Sequence, residues 1–405
     1  MLKRWIVGLI VLVGGASACE RATQKQEEKS DEVGAAQVSE QAPSGLDLAV
    51  ESVRQLAQAG NYDEAFRAVA AAEIEFGRSK RLSELFDSVY DSAPSYNAKP
   101  RQVLNDTEVS AIKKLGGGSS LVYRLIFDKK TFAAFKPRQT RKQSNYRAEI
   151  AAYRLCPLMR CRFDVPENVP VWFDYRQFSG LYARLPSNPK DGMKDIEVVK
   201  TDEGDRIYGT KKVWVEAFGV FPIEYEELWM PWFGMTKEAL KAIRVADAFK
   251  GISNGKGRLS EIAPRLIEQL GDVTAYELSL QLSNLLVFDY LINNWDRYSV
   301  KEAFWGVNCQ LAKGRFMSID NGAAFSVKEL PASEENLKKI SRFSRLTYET
   351  VKALDKEKTF RRLFDEPEPK DEARFETFWN RRERYMAYVD GLVAAHGEEN
   401  VFFFE

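Results

Sequence analysis

Asn293-Asn294-Trp295-Asp296-Arg297-Tyr298 and Phe316-Met317-Ser318-Ile319-Asp320-Asn321-Gly322 are the stretches whose reading decides the fold. The first closes a run, Leu278 to Asn293, so dense in Leu, Val, Phe and Ile that it predicts a helix buried on most sides. The second closes a hairpin-like segment on Asp-Asn-Gly, a good turn sequence. Taken singly, Asp296 is a polar residue at a helix end and Asp320 a turn residue. What they mean depends on what precedes them.

Upstream, Lys113 to Lys136 predicts a strand, the glycine loop Gly116-Gly117-Gly118-Ser119-Ser120, a strand Leu121 to Phe127, a turn at Asp128-Lys129-Lys130, and a strand Thr131 to Lys136. A glycine loop between antiparallel strands lets backbone N–H groups approach phosphates, and a lysine ending the next strand reaches their oxygens. From Gln143 to about Cys156, Tyr146, Ile150 and Tyr153 share one helical stripe, with Pro157 marking the expected end. Glu149 in this helix is placed to orient Lys136, because an unpaired ammonium would not hold one position. Phosphoryl transfer also needs two separate carboxylates, one for the proton of the attacking hydroxyl and one for the metal that bridges the phosphates. Asp296 suits the first role and Asp320 the second. Each part alone is weak, but all occur in order on the elements their roles require. Val213-Trp214-Val215-Glu216-Ala217-Phe218 reads as a strand running into Gly219, where the chain would pass between two lobes.

Four blocks carry a resemblance: Phe135-Lys136-Pro137, Ala148-Glu149-Ile150-Ala151-Ala152-Tyr153-Arg154-Leu155, Phe288 to Arg297, and Ile319-Asp320-Asn321-Gly322. Together they resemble the secretory-pathway kinases that include the Golgi casein kinase and the proteoglycan xylosylkinase, a pattern shared by bacterial and spore-coat relatives. Ile-Asp-Asn-Gly-Ala-Ala-Phe is also similar to the metal-binding segment of type II phosphatidylinositol 4-kinases. The resemblance implies an α+β, two-lobed protein-kinase-like fold with a β-rich N-lobe and a helical C-lobe. It implies ATP with Mg²⁺ or Mn²⁺, with Lys136 on the phosphates, Glu149 as its partner, Asp296 as catalytic base and Asp320 and Asn308 on the metal; Gly116, Gly117, Gly118 and Ser119, from the loop pattern, join Lys136 and Glu149 as expected nucleotide-binding residues. The implied reaction moves a phosphoryl group to a hydroxyl of a protein or glycan acceptor. An exported pseudokinase that binds nucleotide or a partner without turnover is the alternative, and a lipid kinase or AMP transferase on the same fold is a third reading. The sequence departs from the family where Tyr298-Ser299 stand in place of His-His, and in lacking the family's disulfide framework.

At the N-terminus, Lys3 and Arg4, the apolar run Trp5 to Val13 and the small residues up to Cys19 have the three regions of a secretory signal. The run is too short to span a bilayer. Small residues before Cys19 resemble a bacterial lipobox, although Ala16 stands where Leu is usual. The expectation is a lipid anchor on Cys19 and a place in a bacterial cell envelope, on the periplasmic or outer-membrane side. Cleavage after Ala18, giving a soluble secreted protein, is the alternative. Residues 1–18 are thus read as a signal and 19–45 as a polar tether unable to bury enough surface to fold. Residues 46–97 read as a helical hairpin extension similar to a tetratricopeptide unit and able to meet a protein partner. Residues 98–405 read as the kinase-like domain.

Composition mainly excludes. With 59 basic and 59 acidic side chains among 405 residues, the chain lacks the broad basic footprint of a nucleic-acid binder. Its single histidine, His396, sits in Ala-Ala-His-Gly, which removes most His-dependent chemistry. Beyond Cys19, the cysteines are Cys156, Cys161 and Cys309; a helix through the first two would set them on different faces, so all three are expected as buried thiols.

Overall fold

In β3 (Tyr123–Ile126) and β4 (Phe132–Pro137), side chains alternate between a buried apolar face and a second face that carries the chemistry. The computed structural model describes residues 43–102, 109–115, 120–127, 131–141, 144–185, 193–253, 258–297 and 308–404. The signal, most of the tether and the glycine loop Gly116 to Ser119 lie outside the described residues.

The first sheet contains β1 (Arg101–Gln102), β2 (Ala111–Lys114), β3, β4, β5 (Asn168–Asp174), β6 (Val199–Thr201) and β7 (Gly204–Val213). Its order is β1-β5-β7-β4-β3-β2, with β6 on β7, and every pairing is antiparallel except β1 with β5. Leu125, Ala133, Phe135, Val171 and Phe173 join one apolar cluster with Phe178 of α5 (Tyr175–Ala183). The strand period of two then turns Lys136 to the opposite face. There α4 (Tyr146–Leu158) packs against β5 and β7 and presents Glu149 to that lysine. Asn145 caps α4 by accepting from the Arg147 N–H, and Pro157 falls in the last turn, where its missing N–H costs a single ladder bond.

The expectation at Val213 to Phe218 is overturned. The strand is β7, which ends at Val213, and residues 214–218 pair with nothing as strand. Val213 pairs with Ala133 at the start of β4 and Lys212 with Asn168 at the start of β5, so both neighbouring ladders run out there. The apolar alternation beyond has no partner to extend against.

Below the sheet lies the helical lobe, built from α6 (Lys237–Ala242), α7 (Val245–Ser253), α8 (Arg258–Leu270), α9 (Ala275–Leu291), α10 (Pro331–Leu337), α11 (Arg345–Lys352), α12 (Lys356–Leu363), α13 (Asp371–His396) and α14 (Glu398–Val401). The helix expected over 278–293 is α9, whose side chains are buried along nearly its whole length. It begins earlier than read because Thr274 and Glu277 form a capping box. A second sheet runs β10-β9-β8, from β8 (Gly219–Val220), β9 (Cys309–Ala312) and β10 (Arg315–Ser318). The β9–β10 hairpin delivers Asp320 to the cleft.

Ahead of the sheet stand α1 (Gly45–Gln58), α2 (Tyr62–Phe76) and α3 (Lys80–Ser92). They dock on α4, the helix that carries Glu149. Tyr96 stacks on Tyr153 with ring centroids 4.4 Å apart, and the Tyr90 hydroxyl donates to the Arg154 carbonyl at 3.0 Å. Arg160 donates to both oxygens of the buried Glu73 of α2, at 2.7 and 3.1 Å, and lies over the Phe86 ring.

Candidate active site

Lys136, Glu149 and Asp320, far apart in sequence, meet in one buried cluster. The Lys136 ammonium donates to Glu149 Oε1 at 2.8 Å and to Asp320 Oδ1 at 2.6 Å. Burial alone would drive that lysine toward neutrality, but Asp320 and Glu149 together outweigh it and hold the group above the ordinary lysine range. Lys136, against the opposing effect of burial and with help from Lys212, keeps the Asp320 carboxyl well below the usual carboxylate range. The Asp320 side chain is nevertheless 38% accessible, so it is both ionised and open to the cleft.

Backbone geometry sets these positions. Asp320 has φ 54° and ψ 53°, a left-handed conformation that Asp tolerates better than most residues, and it opens the short 3₁₀ turn Asn321–Ala323. The Asn321 N–H donates to Glu149 Oε2 at 2.9 Å, tying the turn to α4. At Gly322 a Cβ would lie 2.3 Å from Lys136 Nζ and 3.3 Å from Glu149 Oε1. Gly209 of β7 is constrained in the same way, since its Cβ would lie 2.4 Å from the Lys136 carbonyl oxygen. Gly322→Ala is therefore expected to push the ammonium off its carboxylates while the chain still folds. Isothermal titration should show ATP binding about tenfold weaker, a loss of about 1.4 kcal/mol, within the range that overpacking costs.

Sequence reading missed Lys212. It stands opposite Ala134 in the β4–β7 register, so it shares the face of Lys136 as a diagonal neighbour. Its ammonium reaches Glu149 Oε1 at 2.7 Å with the side chain 14% accessible. Burial lowers its pKa; Glu149 offsets this only in part, and the like charge of Lys136 adds to the lowering. Two ammoniums thus face two carboxylates.

Asp296 follows α9 through Asn293, itself at φ 54°. Asn308 donates from Nδ2 to Asp296 Oδ2 at 3.2 Å, so two residues singled out for different roles are neighbours. Arg297, fully buried, joins this loop to the Asp320 turn. Its guanidinium bonds Asp289 at 2.6 and 3.1 Å, Ser318 Oγ at 2.6 Å, Asn321 Oδ1 at 3.0 Å and the carbonyl of Asn308. Asn294 adds a bond to Asn321 Oδ1 at 3.1 Å. Gly116, Gly117, Gly118 and Ser119 lie outside the described residues.

No family model matches the chain, and no curated protein matches it. Solved structures do. The Golgi casein kinase is 13% identical, with 78% of each chain covered and a TM-score of 0.44. The Golgi casein kinase with Mn and ADP bound is 12% identical over 79% of this chain and 78% of that one, at a TM-score of 0.44. Hydra Fam20 with sugar is 15% identical over 78% of this chain and 92% of that one, at 0.45. The site is read from its own side chains. A strand lysine held by a helical glutamate, a cleft-facing ionised aspartate and a second aspartate on a loop after a buried helix are the parts that phosphoryl transfer requires.

Among the described residues no group of three or more His, Cys, Asp or Glu side chains gathers as a ready-made metal cage. Mg²⁺ or Mn²⁺ carried by a nucleotide takes oxygen ligands, one or two from the protein and the rest from phosphates and water. Asp320 has an ionised carboxylate open to the cleft, and Asn308 directs its Nδ2 to Asp296, which leaves its carbonyl oxygen for other partners. These two residues would hold the ion. When bound, it would neutralise charge developing on the phosphates.

Proposed function

We propose that the cleft transfers the γ-phosphoryl group of ATP to a hydroxyl on a protein or glycan. The observation that carries this reading is the Lys136 ammonium bonded at once to Glu149 and Asp320. Lys136 directs its positive charge at phosphate oxygens, Glu149 fixes its direction, and Asp296 accepts the hydroxyl proton as the oxygen attacks in line. Asp320 and Asn308 are the metal ligands. The basic and small-residue pattern ahead of Cys19 supports an exported, lipid-anchored protein of a bacterial envelope, with α1 to α3 as a surface for a protein partner.

The test is incubation of the purified protein with γ-labelled or α-labelled ATP and either metal. Transfer of γ label to the protein itself or to an added protein or glycan acceptor is the expected result. Transfer of α label would instead establish AMP transfer. Nucleotide binding with no transfer to any acceptor would establish a pseudokinase.

A further inference from the structure

The helix α4 ends in a cap that the sequence alone does not reveal. Arg160 adopts φ 54°, the Cys161 N–H donates to the Cys156 carbonyl at 3.1 Å, and the Arg160 N–H donates to the Pro157 carbonyl at 3.1 Å. These nested bonds define a Schellman cap, which brings together the side chains three positions before the capping residue and two positions after it. Such a contact is usually apolar. Here both positions are cysteine. The expectation that the two lie on different faces fails, because the helix stops at Leu158 and the chain turns back on itself. Both thiols are free, with Cys156 Sγ directed at the Phe163 carbonyl at 3.9 Å, and Cys309, the remaining described cysteine, is buried in β9.

Access exists as well. Cys156 and Cys161 line a cavity of about 1260 Å³ between α2, the end of α4 and the β9–β10 hairpin, on whose walls Lys136, Glu149, Asp296 and Asp320 do not appear. The site is thus separate from the candidate active site and does not depend on its reading. Arg160, directly before Cys161, matters too, for it anchors α2 through Glu73.

We propose that Cys156 and Cys161 are an intrachain disulfide site, which staples the cap of α4 and with it the docking point of the N-terminal helices. With glutathione disulfide as oxidant, one protein thiolate attacks a glutathione sulfur and releases one glutathione thiolate. The second protein thiolate then attacks the mixed disulfide at the protein sulfur and releases the other. The protein gives up two electrons and two protons, and two glutathione thiols form. Cys161 is only half-buried, not buried as the sequence predicts, and desolvation raises its thiol above the ordinary value.

The sequence supplies its own diagnostic, since trypsin cuts after Arg154, Arg160 and Arg162 and so separates the two cysteines. The folded full-length chain is incubated with glutathione disulfide, unfolded with an alkylating reagent present, and digested. The expected species is Leu155–Arg160 joined to Cys161–Arg162, lighter than their sum by two hydrogens and absent after reduction, with Cys309 alkylated. Alkylation or glutathione adducts at both positions without the joined species overturns the proposal, as does a bridge from either cysteine to Cys309. Oxidised protein is also expected to melt higher than reduced protein, with the difference lost in Cys161→Ser; equal melting of the two wild-type forms overturns the stapling role.

Discussion

Replacing Asp296 with alanine is expected to lower γ-phosphoryl transfer by about a thousandfold while nucleotide affinity stays within about twofold, as removal of a general base does. The separation follows from geometry. In the proposed site the charge facing the phosphates is that of Lys136 and the carboxylate facing the metal is that of Asp320, which bond each other at 2.6 Å, whereas Asp296 accepts from Asn308. Loss of Asp296 therefore removes proton acceptance without removing the nucleotide's contacts. Asp296→Asn sharpens the test, because an amide oxygen still accepts from Asn308 but cannot take the proton. Both variants should fall together in kcat, measured with γ-labelled ATP at saturating metal. Full activity in Asp296→Asn would mean that Asp296 serves only to place Asn308. By contrast, Asp320→Ala should lose nucleotide binding along with turnover, since it removes both a proposed metal ligand and one of the two carboxylates that hold Lys136.

How far the sequence reveals this site depends on whether each residue's role is local or set by tertiary register. Lys136, Glu149 and Asp320 are legible because each sits at a fixed place on its own strand, helix or turn. Asn308 is harder, lying in the turn just before β9, and its neighbour Asp296 is reached only once the β9–β10 hairpin folds back. Lys212 is not legible at all. In Gly-Thr-Lys-Lys-Val it reads as a solvated strand lysine, and only its pairing opposite Ala134 puts it on the cleft face. The same register accounts for the error at 213–218, where a β-like pattern meets no neighbouring strand. Cys156 and Cys161 were separated by an assumed helix, because Arg160 is an uncommon residue for the left-handed position of a cap and gives no glycine signal.

Arg297→Met should have the largest effect on stability, about 4 kcal/mol in urea unfolding, together with loss of more than roughly a hundredfold in transfer activity. Asp289 is almost wholly buried and receives two bonds from Arg297, at 2.6 and 3.1 Å, beside a longer one from Asn294 Nδ2 at 3.4 Å. A buried carboxylate that loses its counter-ion is costly, and Ser318 Oγ, Asn321 Oδ1 and the Asn308 carbonyl each lose one donated bond at the same stroke. Activity falls for a separate reason, since these bonds set the loop of Asp296 against the turn of Asp320. Arg297→Lys should recover little, because one ammonium cannot reach acceptors spread around a planar fork. Asp289→Asn in the Arg297→Met background divides the two effects. Stability should return in part, because the uncompensated charge is gone, but activity should not, because nothing restores the registration of the two loops. Recovery of both would mean that Arg297 acts only as a counter-ion and that the two loops hold their relative places without it.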